Sequence, residues 1–96
     1  MPIFIRLVSF TEEGHKAAKS FQKGREEYLA TLKKLNIRLL GEYVTTGAYD
    51  IVAVLDAPDL NSVIKLSAIT GISGRTRSET LSAIPAEEFE KITKTL

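Results

Sequence analysis

Residues Ile3–Phe10 are almost all β-branched, aliphatic or aromatic, and a run of that make-up reads as a strand. Alternation points Ile3, Ile5 and Leu7 one way and Phe4, Arg6, Val8 and Phe10 the other. Both faces are largely apolar, as in a central strand covered on two sides. Three more segments alternate. Residues 38–46 set Leu39, Tyr43 and Thr45 against Leu40, Glu42, Val44 and Thr46. The short link Thr46-Gly47-Ala48 then turns the chain into residues 49–56, whose centre, Ile51 to Leu55, is apolar on both faces. Residues 75–83 alternate with far more polar content, as an edge strand does.

Between these segments the period lengthens to that of a helix. Over residues 15–35, Ala18, Phe21, Tyr28, Leu32 and Leu35 share one stripe. Thr11 with Glu12 and Glu13 reads as the entry to this helix, and Asn36 as its left-handed exit. Gly24 is the expected point of any break. A second helix starts from Asp59 as N-cap and carries Leu60, Val63, Ile64, Ser67, Ala68 and Ile72 to a stop at Gly71 or Gly74. Pro85-Ala86-Glu87-Glu88 opens a short final helix.

The predicted order is β-α-β-β-α-β plus a tail helix. Right-handed crossovers put strands one and three in the middle, and those are the two that are apolar on both faces. The expected fold class is therefore α+β: a ferredoxin-like, four-stranded antiparallel sheet with both helices on one face and a short C-terminal helix. The other face keeps the apolar residues of strands one and three, which calls for a partner, most simply a second copy.

Composition narrows the function classes. The 96 residues suit one domain, 1–96, and carry a net charge of +1, which offers no general attraction to nucleic acid or acidic lipid. The basic residues of the first helix (Lys16, Lys19, Lys23, Arg25, Lys33, Lys34) have no aromatic residues interleaved for base stacking. No apolar run approaches the length of a membrane span, and no signal peptide is read at the start. With no Cys and one His, neither thiol chemistry nor a site of several imidazoles is available, and no metal site or cofactor is expected. A cytoplasmic location is expected.

Gly47-Ala48-Tyr49-Asp50, together with Thr11-Glu12-Glu13-Gly14, the segment Arg75 to Leu81 and the ending Ile84-Pro85-x-Glu-Glu-Phe89, resembles the GYD family. That resemblance implies a dimeric α/β-barrel type of fold and leaves function open, because the family is uncharacterised. The string Thr46-Gly47-Ala48-Tyr49-Asp50 is also similar to the hairpin of the effector-binding domains of leucine-responsive regulators. That second likeness implies amino-acid sensing between subunits, here without DNA-binding helices.

The candidate ligand-contacting residues are Tyr43, Gly47, Tyr49, Asp50 and Arg77, placed at a subunit junction. A Tyr hydroxyl and a carboxylate there would hold a small ligand; the alternative is that Asp50 bonds turn amides while Tyr49 packs. His15 is the one candidate general base, set against a solvated helix-start residue. Arg6, Glu42, Arg77 and Glu79 either pair across strands or line a polar pocket on the open face. These readings support a homo-oligomeric small-molecule-binding or accessory protein first. The alternatives are a cofactor-free enzyme using His15 or Tyr43, and a stand-alone amino-acid sensor.

Overall fold

A computed structural model describes residues 2–96. Strand β1 (Ile3–Phe10) runs into a short helix α1 (Glu12–Lys16), a single 3₁₀ turn (Ala18–Ser20) and helix α2 (Phe21–Lys34). Strands β2 (Arg38–Val44) and β3 (Ile51–Asp56) follow, then helix α3 (Leu60–Ile72), strand β4 (Thr76–Ala83) and helix α4 (Ala86–Thr93). The sheet is antiparallel with the order β2-β3-β1-β4, so the two strands that are apolar on both faces lie at its centre. It is an open sheet, not closed into a barrel.

One face packs under the helices. Phe4 from β1, Ala53 and Leu55 from β3, Leu32 from α2, and Val63 and Leu66 from α3 form the core, with Ile37 and Ala57 closing its ends. The expected caps hold. Thr11 Oγ1 accepts from the Gly14 N–H at 3.1 Å, and Asp59 Oδ1 accepts from the Ser62 N–H at 2.8 Å. Those bonds to Ser62 hold the Asp59 carboxyl below its ordinary range. Asn36 takes the left-handed conformation, φ 59°, just past α2.

Three features differ from the sequence reading. First, the long helix breaks at Ala17 and not at Gly24, which sits inside α2. Thr11 N–H donates to the Arg75 carbonyl at 3.0 Å and Thr11 Oγ1 donates to the Gly74 carbonyl at 2.7 Å. These bonds tie α1 to the start of β4, so the chain must turn again before α2 can cross the sheet. Second, a bulge between Leu39 and Gly41 reverses the facing of the rest of β2. Leu39 pairs with Leu55 on the helix side, whereas Tyr43 pairs with Val52 and lies on the open side, its ring folded back over Gly41. Third, α3 buries Val63 and Leu66 while Leu60, Ile64 and Ile72 remain exposed. It is apolar nearly all round, so helical period alone could not select its inner face.

The open face keeps Ile3, Ile5 and Leu7 of β1, Val52 and Val54 of β3, Leu81 of β4 and Tyr43 of β2. Helix α4 does not cover them. None of its residues is buried, and Phe89 and Ile92, three apart on one side, stand in solvent. The radius of gyration of 14.8 Å exceeds the roughly 12.5 Å of a compact chain this long. A helix held off the body accounts for the difference.

Candidate functional site

The β2–β3 loop, residues 45–50, sits at one end of the sheet and holds three of the predicted site residues. Thr45 N–H donates to the Asp50 carbonyl at 2.8 Å, and Thr45 Oγ1 donates to the Tyr49 carbonyl at 2.7 Å, which closes the loop. Gly47 has φ +102°, a backbone that side-chain-bearing residues rarely adopt. Asp50 extends the sheet by one step. Its N–H donates to the Val8 carbonyl at 2.8 Å, and its carboxylate accepts from the Phe10 N–H at 2.8 Å. That second bond satisfies a main-chain donor at the point where β1 turns away into α1.

Tyr49 reaches across to β4, its hydroxyl 2.6 Å from Glu79 Oε2. The hydrogen bond to the Glu79 carboxylate, with its negative charge, raises the Tyr49 hydroxyl above its ordinary value, so Tyr49 is the donor. Glu79 pairs with Leu7 and Arg77 with Ser9, so both belong to the open face. Tyr43, Tyr49, Glu79 and Arg77 thus form a polar fringe at the loop end of the apolar patch. Asp50 turns inward to the backbone.

Asp50→Ala is expected to cost about 1–2 kcal/mol by orphaning the Phe10 N–H, which lowers Tm by roughly 4–8 °C per kcal/mol. Asp50→Asn, whose amide oxygen still accepts, is expected to lose less than half of that. Thermal unfolding followed by circular dichroism reads both; equal losses would show that the charge, not the acceptor, is what matters.

The strand charges do not pair across strands as expected. Arg6 and Glu42 both face the helices. Arg6, 2% exposed, donates through its two terminal nitrogens to Tyr28 Oη and Thr70 Oγ1, each at 3.2 Å, and lies 5.7 Å from the Tyr28 ring centre. Glu42 pairs with Arg25 of α2 at 2.7 Å. Burial pushes the Tyr28 hydroxyl above its ordinary range, against the lowering pull of Arg6. These groups line a cleft of about 260 Å³ between the sheet and α1, α2 and α3. The alternation grouped Arg6 with Phe4, Val8 and Phe10, as found, but the pocket expected for it was on the open face, whereas it lines this cleft on the helix side. The available signal was one charge in the run Phe4-Arg6-Val8-Phe10 on a strand expected to be central.

His15 meets the Phe10 ring edge-on, with centroids 5.6 Å apart, and among the described residues its imidazole bonds to no carboxylate. Glu12 pairs instead with Lys16 at 3.7 Å. Among the described residues no acid is bonded to the His15 ring to orient it.

A model of the GYD domain matches residues 4–93. The chain belongs to the GYD domain family. A relative of this GYD chain, from Thermus thermophilus, carries the name glutamine synthetase and cystathionine beta-lyase binding protein. It is 28% identical over 90 residues, covering 93% of this chain and 95% of that protein. Among solved structures, FFRP-DM1 matches 88% of this GYD chain and all of its own with a TM-score of 0.60 at 16% identity. TTHA0845, also from Thermus thermophilus, matches 88% of this chain and 95% of its own with a TM-score of 0.56 at 21% identity. Both share the fold. Among the described residues no helix is long and apolar enough to cross a membrane.

Proposed function

We propose that this GYD-domain chain is a homo-oligomeric accessory protein that binds other molecules without chemistry of its own. Two copies pair sheet to sheet, and the assembled form engages an enzyme partner. The observation that carries this reading is the uncovered sheet face. Ile3, Ile5, Leu7, Val52 and Val54 are only half-buried there, and Leu81 and Tyr43 are exposed. Completing the burial of such side chains contributes up to about 1.5–3 kcal/mol each, and a patch of this kind in water marks an interaction surface. A two-fold arrangement would place the same strip of each copy against the other. Helix α4, with Phe89 and Ile92 outward, then reaches onto the neighbour, which gives its apolar side a place to go. Tyr43, Tyr49, Glu79 and Arg77 would border the seam and offer the polar contacts that fix its register, or hold a small ligand at its edge. The enzyme partner is suggested by the name of the Thermus thermophilus relative.

Sedimentation velocity at micromolar concentration tests the assembly, with a dimer or larger species expected. A lone subunit, stable across that range, overturns the reading. Co-sedimentation with purified glutamine synthetase from the same organism tests the partner class.

A further inference from the structure

On the helix side of the sheet, opposite the proposed seam, Arg6 presents a charge that the fold leaves uncompensated. Its two hydrogen-bonding partners, Tyr28 and Thr70, are neutral hydroxyls, and among the described residues no carboxylate lies within ion-pair distance. Its Nε is buried and bonds to nothing among them. Burying a cation without an anion costs several kcal/mol, a cost that an apolar side chain at the same position would avoid.

The cleft beside it has the character of a binding site. Val8, Phe10, Phe21, Ile51 and Ile69 supply apolar walls around about 260 Å³, just below the usual range for small-molecule pockets and enough for a small ligand. Three arginines, Arg6, Arg25 and Arg75, against two glutamates, Glu27 and Glu42, line it, which leaves one positive charge in excess. Glu42 is already held by Arg25. Tyr28 Oη accepts from Arg6 and so keeps its own proton to donate to a third group.

We propose that this cleft binds a small monocarboxylate with an apolar tail, its carboxylate on Arg6 and Tyr28 and its tail among Val8, Phe10, Phe21 and Ile69. One negative charge balances the cleft. A zwitterion would not, and a bare inorganic anion would leave the apolar walls unfilled. Tyr28 Oη, its proton still unspent, is the donor that meets the carboxylate, and the Arg6 guanidinium bonded behind it supplies the positive charge.

The test is thermal unfolding of the whole chain with phenylacetate, set against acetate, sulfate and the uncharged phenylacetamide at equal ionic strength. Phenylacetate at about five times its dissociation constant is expected to raise Tm by roughly 4–8 °C, and the other three to leave it unmoved. Arg6→Met, which removes the charge and keeps the volume, is expected to unfold no earlier than the parent and to lose the shift. Should Arg6→Met not fold, the Arg6 Nε–H resonance of the unaltered protein takes its place, and phenylacetate is expected to move it downfield. No shift with phenylacetate, an equal shift with acetate or sulfate, retention of the shift in Arg6→Met, or an unmoved Nε–H signal would each overturn the proposal. The cleft and the seam lie on opposite faces, so a monomeric variant altered at the seam should still respond to phenylacetate, and the two readings fail separately.

Discussion

Aspartate in place of Val54 is expected to weaken self-association by at least about a thousandfold and leave folded single subunits at micromolar concentration. Val54 lies on the open face between Ile5 of β1 and Gly41 of β2, at the middle of the half-buried strip. Sheet-to-sheet pairing would seal that position away from water. An unpaired carboxylate buried there costs about 3–5 kcal/mol, and each 1.4 kcal/mol is a factor of ten in the dissociation constant. In a two-fold seam the substitution enters twice, so the loss is compounded. The single subunit loses far less, because the same side chain then faces solvent and forfeits only about 1 kcal/mol of strand preference. Sedimentation equilibrium beside circular dichroism separates the two effects. A Val54→Asp protein that assembles as tightly as the parent would place the seam elsewhere.

Gly14→Ala and Gly24→Ala are expected to change stability in opposite directions. A Cβ on Gly14 would overlap the Arg75 carbonyl oxygen, a main-chain atom that cannot swing aside as a side chain would. Helix α1 would have to lift, stretching both bonds from Thr11 to Gly74 and Arg75. Overpacking of this kind costs about 1–3 kcal/mol, and one weakened hydrogen bond adds about 1 kcal/mol. At roughly 4–8 °C per kcal/mol, a fall in Tm of about 8–30 °C is expected. Gly24 sits within α2, and apart from the helix's own backbone nothing lies within 4 Å of where its Cβ would be. There alanine relieves the helix of glycine's flexibility, and a gain of about 0.5–1 kcal/mol is expected. Scanning calorimetry of the two variants checks this. A stable Gly14→Ala protein would mean that α1 is not clamped to β4 as described.

The strand order was legible because it followed from amounts of apolar residue. Only β1 and β3 are greasy on both sides, and only central strands need to be. Caps were legible too, since Thr11, Asn36 and Asp59 act on amides or backbone angles within three residues of themselves. The β2 bulge was not. Leu39-Leu40-Gly41 does not say where the register slips, and the slip appears only when these residues are set against Val54 and Leu55. The role of Asp50 was half-legible: its turn chemistry could be read, but the amide it serves belongs to Phe10, forty residues earlier.

Strands, helices, their order in the sheet and an apolar face left open by the crossing helices were settled by local period, local caps and overall composition; the break of the long helix at Ala17 was not. Tertiary structure decided which groups meet. It turned Tyr43 outward, set Tyr49 against Glu79, and brought Arg6, Tyr28 and Thr70 together from three separate elements around one cleft. Such meetings depend on how helices lie across a sheet, and residues 22 and 64 positions apart carry no local pattern that records them.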